Sequence, residues 1–194
     1  MFILDIETLG TESTSVILSA ALLHIDTSKP KHTWESLYEN TLFIKFSVRD
    51  QVENYKRTVD KETVKWWGKQ CDLAKNTSFF PKKDDLTAKQ GREILINYIN
   101  ANDPNPDKSL IWIRGSLDQV CLDSLFLAMG NDRLFPYANY RDVRTFIDFN
   151  STNPFRGYCS ISKELCPEFD RNVVIKHNPI DDICLDAMMM MYPE

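Results

Sequence analysis

Two acidic residues lie two positions apart near the amino terminus, in the segment Asp5-Ile6-Glu7. Apolar residues flank them, which predicts a buried strand. Side chains at positions i and i+2 of a strand point to the same face, so the two carboxylates are expected to lie together. Burying two acids side by side is unfavourable without a positive partner. A hard divalent cation, Mg²⁺ or Mn²⁺, suits such an all-oxygen site, whereas an exposed strand face with two solvated acids would need no ion.

A third acid, Asp118, is predicted in the first turn of a helix over 117–129, in line with the apolar residues Leu122 and Leu125. An acid at this place either interacts with the positive end of the helix dipole or binds a metal. The helix follows a short apolar strand, and sites in α/β sheets tend to lie at the carboxyl ends of strands. Its position therefore makes Asp118 a candidate partner for the first two acids.

A histidine and several acids surround the start of the last predicted helix, which has Pro179 at its first position. His177 lies in the preceding loop, where it is either solvated or, next to an acid at a helix amino terminus, suited to act as a general base. Asp182 lies on the apolar face of this helix. Asp181 and Asp186 compete with it for a ligand role, and the residue types alone leave the three open.

The elements that must position these residues follow a simple order. Three extended segments come first, and helices and short strands then alternate to the end of the chain. The predicted ranges are strands at 2–7, 15–26 and 34–46, helices at 60–67 and 87–100, a strand at 110–113, a helix at 117–129, strand or helix at 141–149, and a helix at 178–191. This order predicts an α/β fold in which a mixed five-stranded sheet, three antiparallel strands and then parallel ones, has helices on both faces.

The composition fits one globular domain spanning 1–194. The net charge is −5, from 23 basic and 28 acidic residues, which argues against a generally basic nucleic-acid binder but not against a local basic patch. Five cysteines without a C-x-x-C pair argue against a disulfide framework or a zinc site. No signal peptide or membrane-spanning stretch is recognisable, so a cytoplasmic protein with no membrane partner is expected.

Three motifs resemble those of the DEDD exonucleases. The segment Asp5–Gly10, DIETLG, resembles their first motif, D-x-E-T-x-G, and the segment Gly115–Asp118 resembles the second. His177, five residues before Asp182, resembles the third motif of the DEDDh branch, and this spacing selects Asp182 among the competing acids. The tyrosine branch would require Tyr at position 178, where this chain has Asn.

The resemblance covers most of the chain. The segments Thr63–Trp67, Ile113–Gly115 and Arg141–Thr145 are similar to the exodeoxyribonucleases of T-even-type phages and to exoribonucleases of the ribonuclease T kind. This likeness implies a ribonuclease-H-like fold and 3′→5′ exonuclease activity.

The resemblance also implies the chemistry of the site. Asp5, Glu7, Asp118 and Asp182 would hold two divalent cations, Mg²⁺ or Mn²⁺, and His177 would take a proton from the attacking water. Single-stranded DNA would be shortened from its 3′ end to 5′-mononucleotides. The alternatives are an exoribonuclease with the same chemistry and a nucleic-acid-binding protein that keeps the fold without catalysis. The oligomeric state is left open.

Substrate contacts are harder to assign. Thr8 and Leu9 resemble the family's contact with the terminal nucleotide, although turn packing explains Leu9 equally well. Trp66 and Trp67 could stack on bases, or one of them could belong to the core. The many Lys and Arg of 45–92 form either a rim that contacts the phosphates or a solvated face. The complete set of predicted substrate contacts is Thr8, Leu9, Trp66, Trp67, Arg114, Ser116 and Arg144.

Overall fold

One five-stranded mixed sheet organises the chain, whose computed structural model describes residues 1–29 and 31–194. The strand order is β3-β2-β1-β4-β5, with β1–β2 and β2–β3 antiparallel and β1–β4 and β4–β5 parallel. The strands are β1 Phe2–Thr8, β2 Ile17–His24, β3 Thr41–Lys45, β4 Ile111–Ile113 and β5 Tyr140–Asp142. The predicted fold class and the predicted change from antiparallel to parallel pairing are confirmed.

Helices cover both faces of the sheet. The α-helices are α1 Trp34–Glu39, α2 Val48–Tyr55, α3 Lys61–Gly68, α4 Asp72–Ala74, α5 Ala88–Asn102, α6 Leu117–Ala128, α7 Val143–Asn150 and α8 Pro179–Met191. A π-helix spans Lys75–Phe79, and short 3₁₀ turns span Pro106–Lys108, Tyr137–Asn139 and Arg171–Val173. Among the helices of the described ranges, none combines the length and the apolar character that crossing a membrane requires.

Local capping chemistry sets several helix boundaries. The Asp60 side chain accepts the N–H of Thr63 at 2.8 Å and so begins α3 where the sequence predicts it. Asp142 accepts the N–H of Thr145 at 2.7 Å, which ends β5 and starts α7 at once. The ambiguous segment 141–149 is therefore strand and helix in succession.

One predicted strand is partly wrong. Of the segment 34–46, only Thr41–Lys45 is a strand, and Trp34–Glu39 forms α1. The side chains of Thr33 and Ser36 each accept the other's backbone N–H, at 3.2 and 3.0 Å, and this capping box supports the helix. A capping box closed by Ser instead of Glu or Gln gives a weak sequence signal for the start of a helix, whereas the aromatic and aliphatic residues of 34–46 favour a strand.

The two faces of β1 belong to different cores. Phe2, Leu4 and Ile6 pack into the cluster that includes residues of α5 and α6, whereas Ile3 packs into the cluster that includes residues of α7 and α8. Because side chains alternate along a strand, the odd-numbered residues of β1 share the α8 side. Asp5 and Glu7 therefore project from the end of β1 toward α8.

Candidate active site

Asp118 is joined to the first strand by a hydrogen bond. Its Oδ1 accepts the backbone N–H of Ile6 at 3.2 Å, so the start of α6 is held against the centre of β1. The side chain is almost buried, with 6% of its surface exposed. Asp118 thus lies next to Asp5 and Glu7 at the same end of the sheet.

The loop before α8 brings in the histidine and the fourth acid. The N–H of His177 donates to Asp182 Oδ2 at 3.1 Å, and the Nδ1 of His177 lies 3.8 Å from Glu7 Oε1. His177 has a φ of +63°, a left-handed conformation that turns the chain sharply into the helix. Its ring is edge-on to that of Trp66, with centroids 4.7 Å apart at 77°. The histidine is therefore held between the first strand, α3 and α8.

These five side chains line one cavity of about 790 Å³. The lining comes from β1, the connection from β4 into α6, α7, the irregular segment 151–176, and the loop and first turns of α8. Other lining residues include Arg114, Ser116, Arg144, Tyr158, Arg171, Lys176 and Asp186.

The acids of the cavity repel one another and are shielded from water. Burial, and then the charges of Asp118 and Glu7, raise the pKa of Asp5 well above its usual value, and burial followed by the charge of Asp182 does the same for the pKa of Glu7. Burial raises the pKa of Asp118 to about 7. Burial and the neighbouring Asp186 raise the pKa of Asp182 to about 7 as well. The cluster is thus short of positive charge.

The donor set fits a divalent cation. Asp5 Oδ2 is buried and, within the described part of the chain, has no hydrogen-bond partner. One ligand atom from each of Glu7, His177 and Asp182 lies within 4.8 Å of the others. Carboxylate oxygens dominate the set, and this chemistry favours hard ions such as Mg²⁺ and Mn²⁺.

The structure separates the three acids at the start of α8. Asp181 is 2% exposed, accepts the N–H of Ile175 at 2.8 Å and lies outside the cavity lining. Asp186 lines the cavity, but both of its oxygens accept from Arg114 Nε at 3.1 Å. Asp182 lines the cavity and, among the described residues, forms no ion pair with a Lys or Arg.

Three of the predicted substrate contacts lie in the core or within a turn of the structure. Trp67 is fully buried, and its Nε1–H donates to the Thr8 carbonyl at 3.0 Å, so its ring belongs to the core. Leu9 packs in the same core cluster with 5% of its surface exposed, and its N–H donates to the Val16 carbonyl at 2.8 Å. The Thr8 hydroxyl donates to the Gly10 carbonyl at 2.6 Å within the turn.

The other predicted contacts lie at or near the cavity. Ser116 and Arg144 line it and are exposed, and Arg114 lines it while paired with Asp186. Trp66 keeps 40% of its surface exposed beside His177, which leaves it as the tryptophan available for stacking.

Besides the predicted Arg114 and Arg144, the cavity lining contains two basic residues that the sequence did not single out. The described Lys and Arg of 45–92 are absent from the lining, which instead includes Arg171 and Lys176 together with the aromatic Tyr158. Sequence analysis missed these three because they lie in an irregular segment without periodicity or motif. Tyr158, an aromatic residue two positions after Arg156, is a local signal that could have marked this segment.

Comparison with known proteins identifies the family of this chain. The family described as "3'-5' exoribonuclease Rv2179c-like domain" matches residues 1–192. An exodeoxyribonuclease of Enterobacteria phage T4 is 27% identical over 206 residues, which cover 98% of this chain and 87% of that protein. Among solved structures, the zinc-bound E. coli ExoI–ssDNA complex matches with a TM-score of 0.53 and 12% identity over 97% of this chain. The chain spans 39% of the length of that larger protein, and the likeness supports the fold.

Proposed function

The chain belongs to the 3′–5′ exoribonuclease Rv2179c-like family and is a 3′→5′ exonuclease, and on that premise we propose that it degrades single-stranded DNA from the 3′ end to 5′-mononucleotides with the help of two divalent cations. Residues 1–194 would form a single exonuclease domain. The observation that carries the proposal is the meeting of Asp5, Glu7, Asp118, Asp182 and His177 around one cavity.

The four acids would hold the cations. The unpartnered Asp5 Oδ2 and the raised pKa values of the cluster mean that the carboxylates gain from a bound positive charge. When bound, the cations would activate a water and stabilise the charge that develops on the phosphate and on the leaving 3′ oxygen. Asp118 would keep its place through the Ile6 hydrogen bond, and Asp182 through the His177 N–H.

His177 would act as the general base. Burial and the nearby Lys176 lower its pKa, so the imidazole is neutral near pH 7 and able to accept a proton. Its contact with Trp66 and its approach to Glu7 fix the ring at the cavity. The proton taken from the water would reside on this ring, the leaving 3′ oxygen would take a proton from solvent, and the ring would return its proton to solvent after the nucleotide leaves.

DNA is favoured as the substrate because the phage relative matches almost the full chain and is an exodeoxyribonuclease. RNA is the second candidate, since the description of the family names an exoribonuclease. The choice depends on contacts to the 2′ position of the sugar.

The test is degradation of 5′-labelled single-stranded DNA and RNA of equal sequence, with Mg²⁺, with Mn²⁺ and with EDTA. A ladder shortened one nucleotide at a time on DNA, lost in EDTA and in Asp5→Asn, is the expected result. Asp84→Asn, which alters an exposed carboxylate, is the matched control. A ladder confined to RNA would establish the second candidate, and binding without degradation in every metal would refute the enzyme assignment.

A further inference from the structure

A tight turn forms part of the wall of the cavity. Phe155 and Tyr158 exchange backbone hydrogen bonds of 2.8 and 3.1 Å. The two residues between them, Arg156 and Gly157, have φ values of +53° and +76°. A two-residue connection with positive φ at both central positions is a type I′ turn, the geometry that closes a hairpin tightly.

Gly157 anchors this turn to the body of the enzyme. Its N–H donates to Asp148 Oδ1 at 2.9 Å, and its carbonyl accepts from Arg114 Nη1 at 2.9 Å. A Cβ at this position would lie 2.4 Å from the Cβ of Arg144, so only glycine allows the approach. The backbone at the tip is therefore held in place, and two of the residues that it contacts, Arg114 and Arg144, themselves line the cavity.

The turn carries two aromatic side chains, one that lines the cavity and one that is largely exposed to solvent. Tyr158 lines the cavity and is 42% exposed, with the Arg114 guanidinium 4.1 Å from its ring centre. Phe155, its hydrogen-bonded neighbour, is 71% exposed, and the Arg156 guanidinium lies 5.2 Å from the Phe155 ring. A solvated phenyl ring on a hydrogen-bonded turn, with a cation beside it, is a combination that can bind a nucleobase and its phosphate.

The lining of the same cavity carries positive charge. Arg144, Arg171 and Lys176 line it and are exposed, and none of them forms an ion pair with any described residue. On a chain of net charge −5, beside an acidic site that repels phosphate, these cations form a local attractive rim.

We propose that the turn Phe155–Tyr158 and this basic rim bind the single strand just upstream of the nucleotide being removed. Phe155 stacks on a base, and Arg156 contacts a phosphate. The inference rests on the proposed exonuclease function and adds to it a binding site for the part of the strand outside the cavity.

Binding measured without turnover tests the proposal. The anisotropy of 5′-fluorescein-labelled dT12 is followed in EDTA at several salt concentrations. Phe155→Ala is expected to weaken binding about tenfold, as loss of one stacked base does. Arg156→Gln is expected to reduce the slope of log affinity against log salt by about 0.7, as loss of one phosphate contact does. Tyr137→Ala and Arg49→Gln, which change equally exposed residues outside the lining, are the controls.

Affinities and salt slopes that match those of the two controls would overturn the proposal. Thermal unfolding checks the fold of each variant, and Phe155→Leu, which keeps an apolar side chain but loses the aromatic face, replaces Phe155→Ala should that variant unfold. Degradation of dT12 by the wild-type enzyme in Mg²⁺ is measured separately. Binding that Phe155→Ala and Arg156→Gln weaken, without degradation of dT12, would support this site and refute the exonuclease proposal. Failure of the binding site and failure of the proposed function are thus distinguishable.

Discussion

Replacing Asp118 by Asn is expected to stabilise the cation-free protein above neutral pH. The Asp118 carboxyl is almost buried, and burial raises its pKa from 3.8 to about 7. In the wild type, Asp118 Oδ1 accepts the Ile6 N–H at 3.2 Å. Asparagine has nearly the same shape and keeps an Oδ1 that can accept this N–H. The substitution therefore removes the charge and leaves the packing in place.

The size and the sign of this change in the free energy of unfolding follow from the pKa of Asp118 in the folded and in the unfolded chain. Ionising the folded carboxyl costs about 4 kcal/mol more than ionising it in the unfolded chain, given pKa values of about 7 and 3.8. Because the folded pKa is the higher one, the folded state binds more protons between these values, and the free energy of unfolding of the wild type falls as the pH rises through them. The free energy of unfolding of Asp118→Asn should therefore equal that of the wild type at about pH 4 and exceed it by at most about 4 kcal/mol at about pH 8.

Urea unfolding in EDTA at pH 4, 5.5 and 8 measures this difference directly, provided that each transition is two-state. Asp84→Asn, at an exposed loop position, is the control and should change the stability little at any pH. Added Mg²⁺ should then stabilise the wild type more than Asp118→Asn, because the variant lacks one ligand. A variant no more stable than the wild type at pH 8, or an advantage that is the same at pH 4, would refute the reasoning.

Three further predictions concern individual side chains. His177→Ala should retain Mg²⁺ binding by calorimetry while turnover on labelled DNA falls by about 10²–10⁴-fold, and unchanged turnover would remove the histidine from the mechanism. Asp182→Asn should weaken Mg²⁺ affinity, whereas Asp181→Asn, which alters an acid outside the cavity lining, should leave it intact; the reverse order would show that the wrong acid was assigned. Trp67→Ala should lower the free energy of unfolding by about 3–5 kcal/mol, whereas Trp66→Ala at a 40% exposed position should cost far less, and equal losses would contradict the burial of Trp67.

The features predicted best from the sequence are those with a local physical cause. Alternation along the first strand places Asp5 and Glu7 on one face, and the Asn-Pro start and the apolar stripe define the last helix. Local causes do not single out Asp182 as a ligand, because Asp181 and Asp186 belong to the same helix. The resemblance to the third motif favours Asp182. The structure adds that Asp181 accepts the N–H of Ile175 and that Asp186 accepts from Arg114.

What the sequence left undecided depends on contacts distant in the chain. Trp66 and Trp67 are adjacent in one short helix, and only the packing of α3 against the Thr8 carbonyl decides which ring is inside. Tyr158, Arg171 and Lys176 lie in a segment with little regular structure, which tertiary contacts alone bring to the cavity. No periodicity marks such residues, so their discovery requires coordinates.

The separation of the acids along the chain also ties the site to the packing of the whole fold. Asp5 and Glu7 belong to β1, whereas Asp182 and His177 reach them only where α8 packs against the sheet. A state in which α8 is detached keeps β1 and its two acids but cannot bring the five residues together. Loss of the cavity and loss of the contact between α8 and the sheet are therefore one event, and a reporter placed at the cavity also reports on the docking of that helix.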